Sequence, residues 1–187
     1  MGTSRFDRRP PERDSTRINE KIRVSEVRMA ADSPDATRQV AAGIATLVRR
    51  GDVILLSGEM GSGKTVFVQG FGRAVGVDEP ITSPTFTLVH TYSTGRLPLH
   101  HADLYRLDHL SEVADLALGE LAEGDGILVV EWGDAAVDFV GDHLGVVFER
   151  SPTDDDRRIL TVRAVGSAWE TRWNKLATVL APWLVAA

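Results

Sequence analysis

The chain has 187 residues and a mass of 20.4 kDa, enough for one domain with a substantial core, and it contains no cysteine, which excludes disulfides and thiolate metal sites and fits a reducing cytoplasm. Its net charge of −6 is unevenly placed: residues 1–28 hold eight Arg or Lys against five acids, +3, leaving −9 on residues 29–187. An acidic body is a poor stand-alone clamp for nucleic acid, and no apolar run approaches membrane-spanning length, so a soluble protein that meets any RNA through a partner is expected.

Residues 1–21 are polar, Pro-containing and aperiodic, the composition of a disordered basic arm, and a single domain is expected over 22–187. Ile22, Val24 and Val27 suggest a first strand. Asp32-Ser33-Pro34 is a helix-start signal with Ser33 as cap and Pro34 at the first helical position. Ala36, Val40, Ile44 and Val48, with Ala41 and Leu47, then mark one apolar helix face ending before Gly51. The start of this helix is a candidate border for a nucleotide base.

Val53-Ile54-Leu55-Leu56 is the unbroken apolar run of a strand buried on both faces. It leads into Gly58-Glu59-Met60-Gly61-Ser62-Gly63-Lys64-Thr65, which fits the phosphate-binding pattern G-x-x-x-x-G-K-[ST] in full, and a helix follows through Phe67, Phe71, Ala74 and Val75 to Gly76. Strand before and helix after is the setting the pattern requires. Glycines at 58, 61 and 63 let backbone N–H groups approach phosphate oxygens, and the helix adds its positive end. Lys64 would reach the β and γ phosphates, and the Thr65 hydroxyl would bind Mg²⁺.

Ile81 to Thr87 is a polar connection, with Ser83 and Thr85 placed where several nucleotide-hydrolysing proteins sense a γ-phosphate, although on this stretch alone plain turn chemistry is the favoured reading. Leu88 to Tyr92 and Leu97 to Arg106 suggest a hairpin turning at Ser93-Thr94-Gly95-Arg96. His101 and Asp103 alternate onto one strand face, both toward the site, with Leu104 away. The pair His100-His101 lacks a third ligand for zinc, whereas Asp103 suits Mg²⁺ directly or through another group. Leu107 to Glu123 reads as one helix. Gly126 to Gly133 is a second buried strand ending in Glu131, an acid at the sheet edge where ligands sit, positioned to hold Mg²⁺ or to polarise water. Leu144 to Glu149 and Ile159 to Val165 follow as strands, joined by a charged turn at Asp154-Asp155-Asp156. A terminal helix over Ala168 to Leu184 carries Trp169, Trp173, Leu176, Leu180 and Trp183 toward the core.

Taken together, Gly58 to Thr65, Ser83 to Val89, His101 to Arg106 and Val130-Glu131-Trp132 resemble, in order and spacing, the bacterial TsaE (YjeE) family over about Val24 to Phe148. The resemblance implies a P-loop ATPase that works with TsaB and TsaD to make N6-threonylcarbamoyladenosine at position 37 of tRNAs reading codons beginning with A. It implies ATP contacts from Glu59, Met60, Gly61, Ser62, Gly63, Lys64, Thr65 and Val66, adenine-side contacts near Ser33 and Thr37, and a γ-phosphate segment at Ser83 and Thr85. It also implies metal binding by Thr65 and Glu131, a requirement for Asp103 in hydrolysis, and a site wall at Trp132. Family members often carry an acid where Pro34 stands, and the arm and the aspartate turn depart from the short family pattern.

The expected fold is a three-layer α/β P-loop NTPase-like arrangement with a mostly parallel central sheet, helices on both faces and antiparallel additions. The expected activity is slow Mg²⁺-dependent ATP hydrolysis, raised by the partners, with Lys64, Asp103 and Glu131 in catalytic roles. Asp103 and Glu131 are equal candidates for orienting the attacking water. A small-molecule kinase is the alternative from another class, disfavoured because residues 107–126 carry six acids and no Arg or Lys for an acceptor lid. A switch that binds ATP without cleaving it is the third.

Overall fold

The computed structural model describes residues 25–84, 87–107 and 110–185. The arm at 1–21, the strand positions Ile22 and Val24, and Thr85 lie outside the described residues. Elements follow in the order β1 (Ser25–Ala31), α1 (Pro34–Ala45), β2 (Val53–Gly58), α2 (Lys64–Val75), β3 (Val89–Tyr92), β4 (Leu99–Asp103), α3 (Leu110–Asp115), α4 (Leu118–Glu123), β5 (Ile127–Glu131), β6 (His143–Arg150), β7 (Arg158–Val165), α5 (Ser167–Glu170) and α6 (Trp173–Leu180). Short 3₁₀ segments, Gly133–Phe139 and Ala181–Trp183, follow β5 and α6.

The strands form one sheet in the order β1-β7-β6-β2-β5-β4-β3. β6, β2, β5 and β4 are mutually parallel, while β3 at one side and β7 and β1 at the other pair antiparallel. Central position explains the unbroken apolar runs: every residue of β5 and residues 53–57 of β2 are buried. Alternation then sorts their side chains between two cores. Ile54, Leu56, Ile127 and Val129 join Phe67, Phe71, Val40, Ile44 and Trp169 on the side of α1, α2, α5 and α6. Val53, Leu55, Leu128 and Val130 join Val113, Leu118 and Ala136 beneath α3, α4 and the 3₁₀ segment.

The second helical layer is partial. Among the described residues, β1, β6 and β7 contribute nothing to the second core, and their outward face carries Val147, 43% exposed, between the ion pairs Arg28–Glu149 and Arg163–Glu26. Exposed pairs of this kind contribute about 0–1 kcal/mol each, so they solubilise the face more than they hold it.

Three helix expectations need correction. The segment expected as one helix over 107–123 is two short ones, broken at Ala117 in a left-handed conformation (φ 49°). The terminal helix is likewise interrupted into α5, α6 and a 3₁₀ turn, although Trp169, Leu176 and Leu180 are fully buried as core. α1 stops at Ala45, short of Gly51, because Asp52 turns back to accept from the Arg49 N–H at 2.7 Å.

That aspartate also anchors the C-terminal helices. Arg172 donates from both terminal nitrogens to Asp52 at 2.7 Å, from Nη1 to the Leu47 carbonyl at 2.8 Å, and from Nε to the Ala168 carbonyl at 2.9 Å, with its guanidinium 4.0 Å from the Trp169 ring centroid. Both charges are buried, at 4% and 6% exposure. Removing one partner strands the other, so Arg172→Ala is expected to destabilise the protein by about 3–5 kcal/mol, read as a fall in the urea midpoint without loss of the native sheet signal.

Candidate functional site

Parallel register brings the candidate residues to one sheet edge. Leu56 lies opposite Glu131 across β2 and β5, and Asp103 lies opposite Glu131 across β4 and β5. Strand alternation sends Glu131, His101 and Asp103 to the α2 side, since Glu131 stands two residues from Val129, and His101 and Asp103 two and four residues from Leu99, both side chains of the first core. β2 ends at Gly58, and the loop to Gly63 delivers Lys64 and Thr65 as the first residues of α2.

The loop backbone demands glycine. Gly58 has φ 138°, and a Cβ there would lie 2.5 Å from the Phe148 carbonyl oxygen; Gly63, the N-cap of α2, has φ 107°. Two arginines that sequence reasoning missed hold loop carbonyls from outside. Arg150 Nη2 donates to the Met60 carbonyl at 2.8 Å and Arg158 Nε to the Ser62 carbonyl at 3.0 Å. Within the loop itself the Ser62 N–H donates to the Glu59 carbonyl at 3.1 Å. Only the fold brings β6 and β7 to this loop, and the sequence held no signal for either contact.

Lys64 is 4% exposed, with Nζ donating to the carbonyls of Gly58 at 2.6 Å and Glu59 at 3.0 Å and standing 4.0 Å from the Trp132 ring centroid. Burial lowers its pKa from 10.5, and the nearby charges of Glu131, Asp103 and Asp134 oppose that shift. Trp132 is itself in a left-handed conformation (φ 61°) and packs on Tyr105 with ring centroids 5.1 Å apart. Backbone strain of this kind in a bulky residue concentrates at functional sites.

Glu131 is 3% exposed and accepts two hydrogen bonds, from Thr65 Oγ1 on Oε2 at 3.0 Å and from His101 Nε2 on Oε1 at 3.0 Å. Asp103 accepts from the Tyr105 N–H at 3.0 Å and from the Ser83 hydroxyl. Asp134 accepts from Ser57 Oγ at 2.7 Å beneath the loop. Thr65 and Glu131 thus present oxygen ligands side by side, a set that fits a hard divalent cation such as Mg²⁺. The two histidines are engaged separately: His101 with Glu131, and His100 through Nδ1 with Thr91 Oγ1 at 2.9 Å on the other strand face, where burial lowers the His100 pKa.

A cavity of about 420 Å³ opens here, lined by Met60, Gly61, Ser62, Gly63, Lys64, Thr65, Val66, Ser83, Asp103, Glu131 and Trp132, and also by Pro84, Leu88, Tyr105 and Arg106. Ser33, Thr37 and Glu59 are not in that lining. The Ser33 hydroxyl caps α1 by accepting from the Ala36 N–H at 3.1 Å, and the buried Thr37 donates to the Ser33 carbonyl at 3.3 Å. Asp154, Asp155 and Asp156 form an exposed turn, as their composition suggested.

A glycine-dependent loop after a central parallel strand, a buried lysine, and a hydroxyl facing a strand-end carboxylate define the P-loop class of nucleotide-binding proteins. Within that class, residues 31–159 match the family model described as threonylcarbamoyl adenosine biosynthesis protein TsaE. The chain is 37% identical over 146 residues to a tRNA threonylcarbamoyladenosine biosynthesis protein TsaE of Bacillus subtilis, covering 78% of this chain and 90% of the relative. It is 39% identical over 140 residues to the protein of that name from Streptomyces coelicolor, covering 72% and 94%. The crystal structure of Bacillus subtilis YdiB superposes with a TM-score of 0.65 at 32% identity, over 85% of this chain and 96% of that one. The chain belongs to the TsaE family.

Between its folded and unfolded pKa values Lys64 binds fewer protons in the folded state, so its contribution to stability rises with pH through that window, below 10.5. Lys64→Met is expected to keep or raise the urea midpoint of the nucleotide-free protein and to remove that rise, as checked by denaturation between neutral and alkaline pH.

Proposed function

We propose that this chain is a Mg²⁺-dependent ATPase that acts in the cytoplasm with homologues of TsaB and TsaD in forming N6-threonylcarbamoyladenosine on tRNAs reading codons beginning with A. The observation that carries the reading is the contact of Thr65 Oγ1 with Glu131 Oε2 at 3.0 Å, directly below the Gly58–Lys64 loop. Family membership and the names of the relatives support the tRNA assignment.

In this reading the loop amides and Lys64 bind the phosphates of ATP, and the Trp132 ring shapes the wall beside Glu131. Mg²⁺, held by Thr65 and Glu131, would neutralise charge on the β and γ phosphates. With Glu131 assigned to the metal beside Thr65, Asp103, itself held from two sides by Tyr105 N–H and the Ser83 hydroxyl, is the residue assigned to orient the attacking water. Ser83 belongs to the connection after α2, so a ligand that moves it also moves Asp103. No Arg or Lys occurs among residues 107–126, and six acids do, which favours water over a phosphorylated acceptor. The acidic body is consistent with tRNA being held by the partners.

The test is release of phosphate from γ-labelled ATP by the purified chain, alone and with the two partner homologues. Slow turnover alone and faster turnover with partners are expected; transfer of the label to a small molecule would favour a kinase. Glu131→Ala is expected to lower turnover by at least about 100-fold. If that variant binds ATP, does not cleave it and still supports tRNA modification, the protein is a switch and not a hydrolase.

A further inference from the structure

We infer that His101 is a positioning residue for the metal-binding carboxylate of Glu131. The inference rests on the reading of the cavity as a Mg²⁺-nucleotide site.

His101 is fully buried in β4, and Nε2 lies 3.0 Å from Glu131 Oε1. An ionised carboxylate only accepts hydrogen bonds, so Nε2 carries the hydrogen and Nδ1 bears a lone pair. Nδ1 is buried with no hydrogen-bond partner among the described residues. Leaving such a group unmatched costs roughly 1–3 kcal/mol, and Leu99, two residues earlier on the same strand face, shows that an aliphatic side chain fills the first core there. Packing alone therefore does not explain an imidazole at this position. Among the described residues, its directed side-chain interaction is with Glu131.

The two donors to Glu131 differ in what carries them. Thr65 stands at the junction of loop and α2, where a bound phosphate would act. His101 stands in the sheet, in β4, hydrogen-bonded in register to β5 on one side and β3 on the other, with Val129 and His90 as its partners. Thr65 orients one carboxylate oxygen from an element that meets the ligand, whereas His101 holds the other from an element that does not. Its role is to keep the Glu131 carboxylate aimed at Thr65 irrespective of the state of the loop. Partners of this type, one step removed from a metal, typically alter metal affinity by about 10- to 100-fold when deleted.

The experiment uses the full chain and a fluorescent N-methylanthraniloyl ADP, titrated without metal and then with MgCl₂, alongside thermal melting of the nucleotide-free protein. His101→Leu is expected to raise the Mg²⁺ concentration for half-maximal tightening by about 10- to 100-fold, with metal-free ADP affinity unchanged and a single cooperative melting transition retained. His101→Gln, whose amide N–H can replace Nε2–H, should recover most of the loss, and the effect of His101→Leu should vanish in a Glu131→Gln background. If His101→Leu does not fold, His101→Asn, whose shorter amide does not reach Glu131, takes its place. An unchanged Mg²⁺ requirement, an equal weakening of ADP with and without metal, or failure of both donor-deficient variants to fold would each overturn the inference and leave the proposed function standing. Failure of the unaltered chain to bind the nucleotide at all would overturn the proposed function and this inference with it.

Discussion

A carboxylate that is 3% exposed must be met by donors or it will not remain where it is. Glu131 is met twice, by Thr65 from the start of α2 and by His101 from the neighbouring strand, and this pair of hydrogen bonds ties the phosphate-loop half of the site to the sheet half. Without it, the loop would still form and the strand would still end in an acid. The two would not share the position proposed for the metal.

Around that link, the carbonyls of the loop are held by side chains. Arg150 and Arg158 hold the Met60 and Ser62 carbonyls, and Lys64 lies along the Gly58 and Glu59 carbonyls. Trp132 accepts a left-handed backbone to put its ring over Lys64 and against Tyr105. A depressed lysine, a strained tryptophan and a buried acid are each unfavourable for an isolated fold. Together they mark this cavity as the functional site of a TsaE-family chain, the site for which a metal-chelated polyphosphate is proposed above.

The rest of the fold supplies rigidity to one side of the sheet more than to the other. α1, α2, α5 and α6 cover the first core along its length, with Arg172 and Asp52 fixing the C-terminal helices to the entry of β2. Among the described residues the second layer covers β2, β5 and β4 with Val89 of β3, and the face of β6, β7 and β1 carries charges and Val147. The loop-holding arginines come from that half, which makes the β6–β7 hairpin a structural neighbour of the phosphate loop although it is about ninety residues away in sequence.

The sequence by itself determined what depends on local rules. The apolar runs at 53–56 and 127–130 marked the buried central strands, the spacing of glycines with Lys64 and Thr65 marked the loop, and period-two alternation put His101 and Asp103 on one face. A carboxylate at the end of a buried strand announced Glu131. Only the tertiary structure decided what depends on contacts between distant segments: the order β6-β2-β5-β4, the break at Ala117, the Arg172–Asp52 anchor, the arginines behind the loop, and the placing of Ser33 and Thr37 outside the cavity lining. Periodicity records which side of an element is apolar but carries no information about which element lies against it. The meeting of His101 with Glu131 shows the boundary, because alternation could aim the imidazole toward the site while only the strand register could set a carboxylate 3.0 Å away.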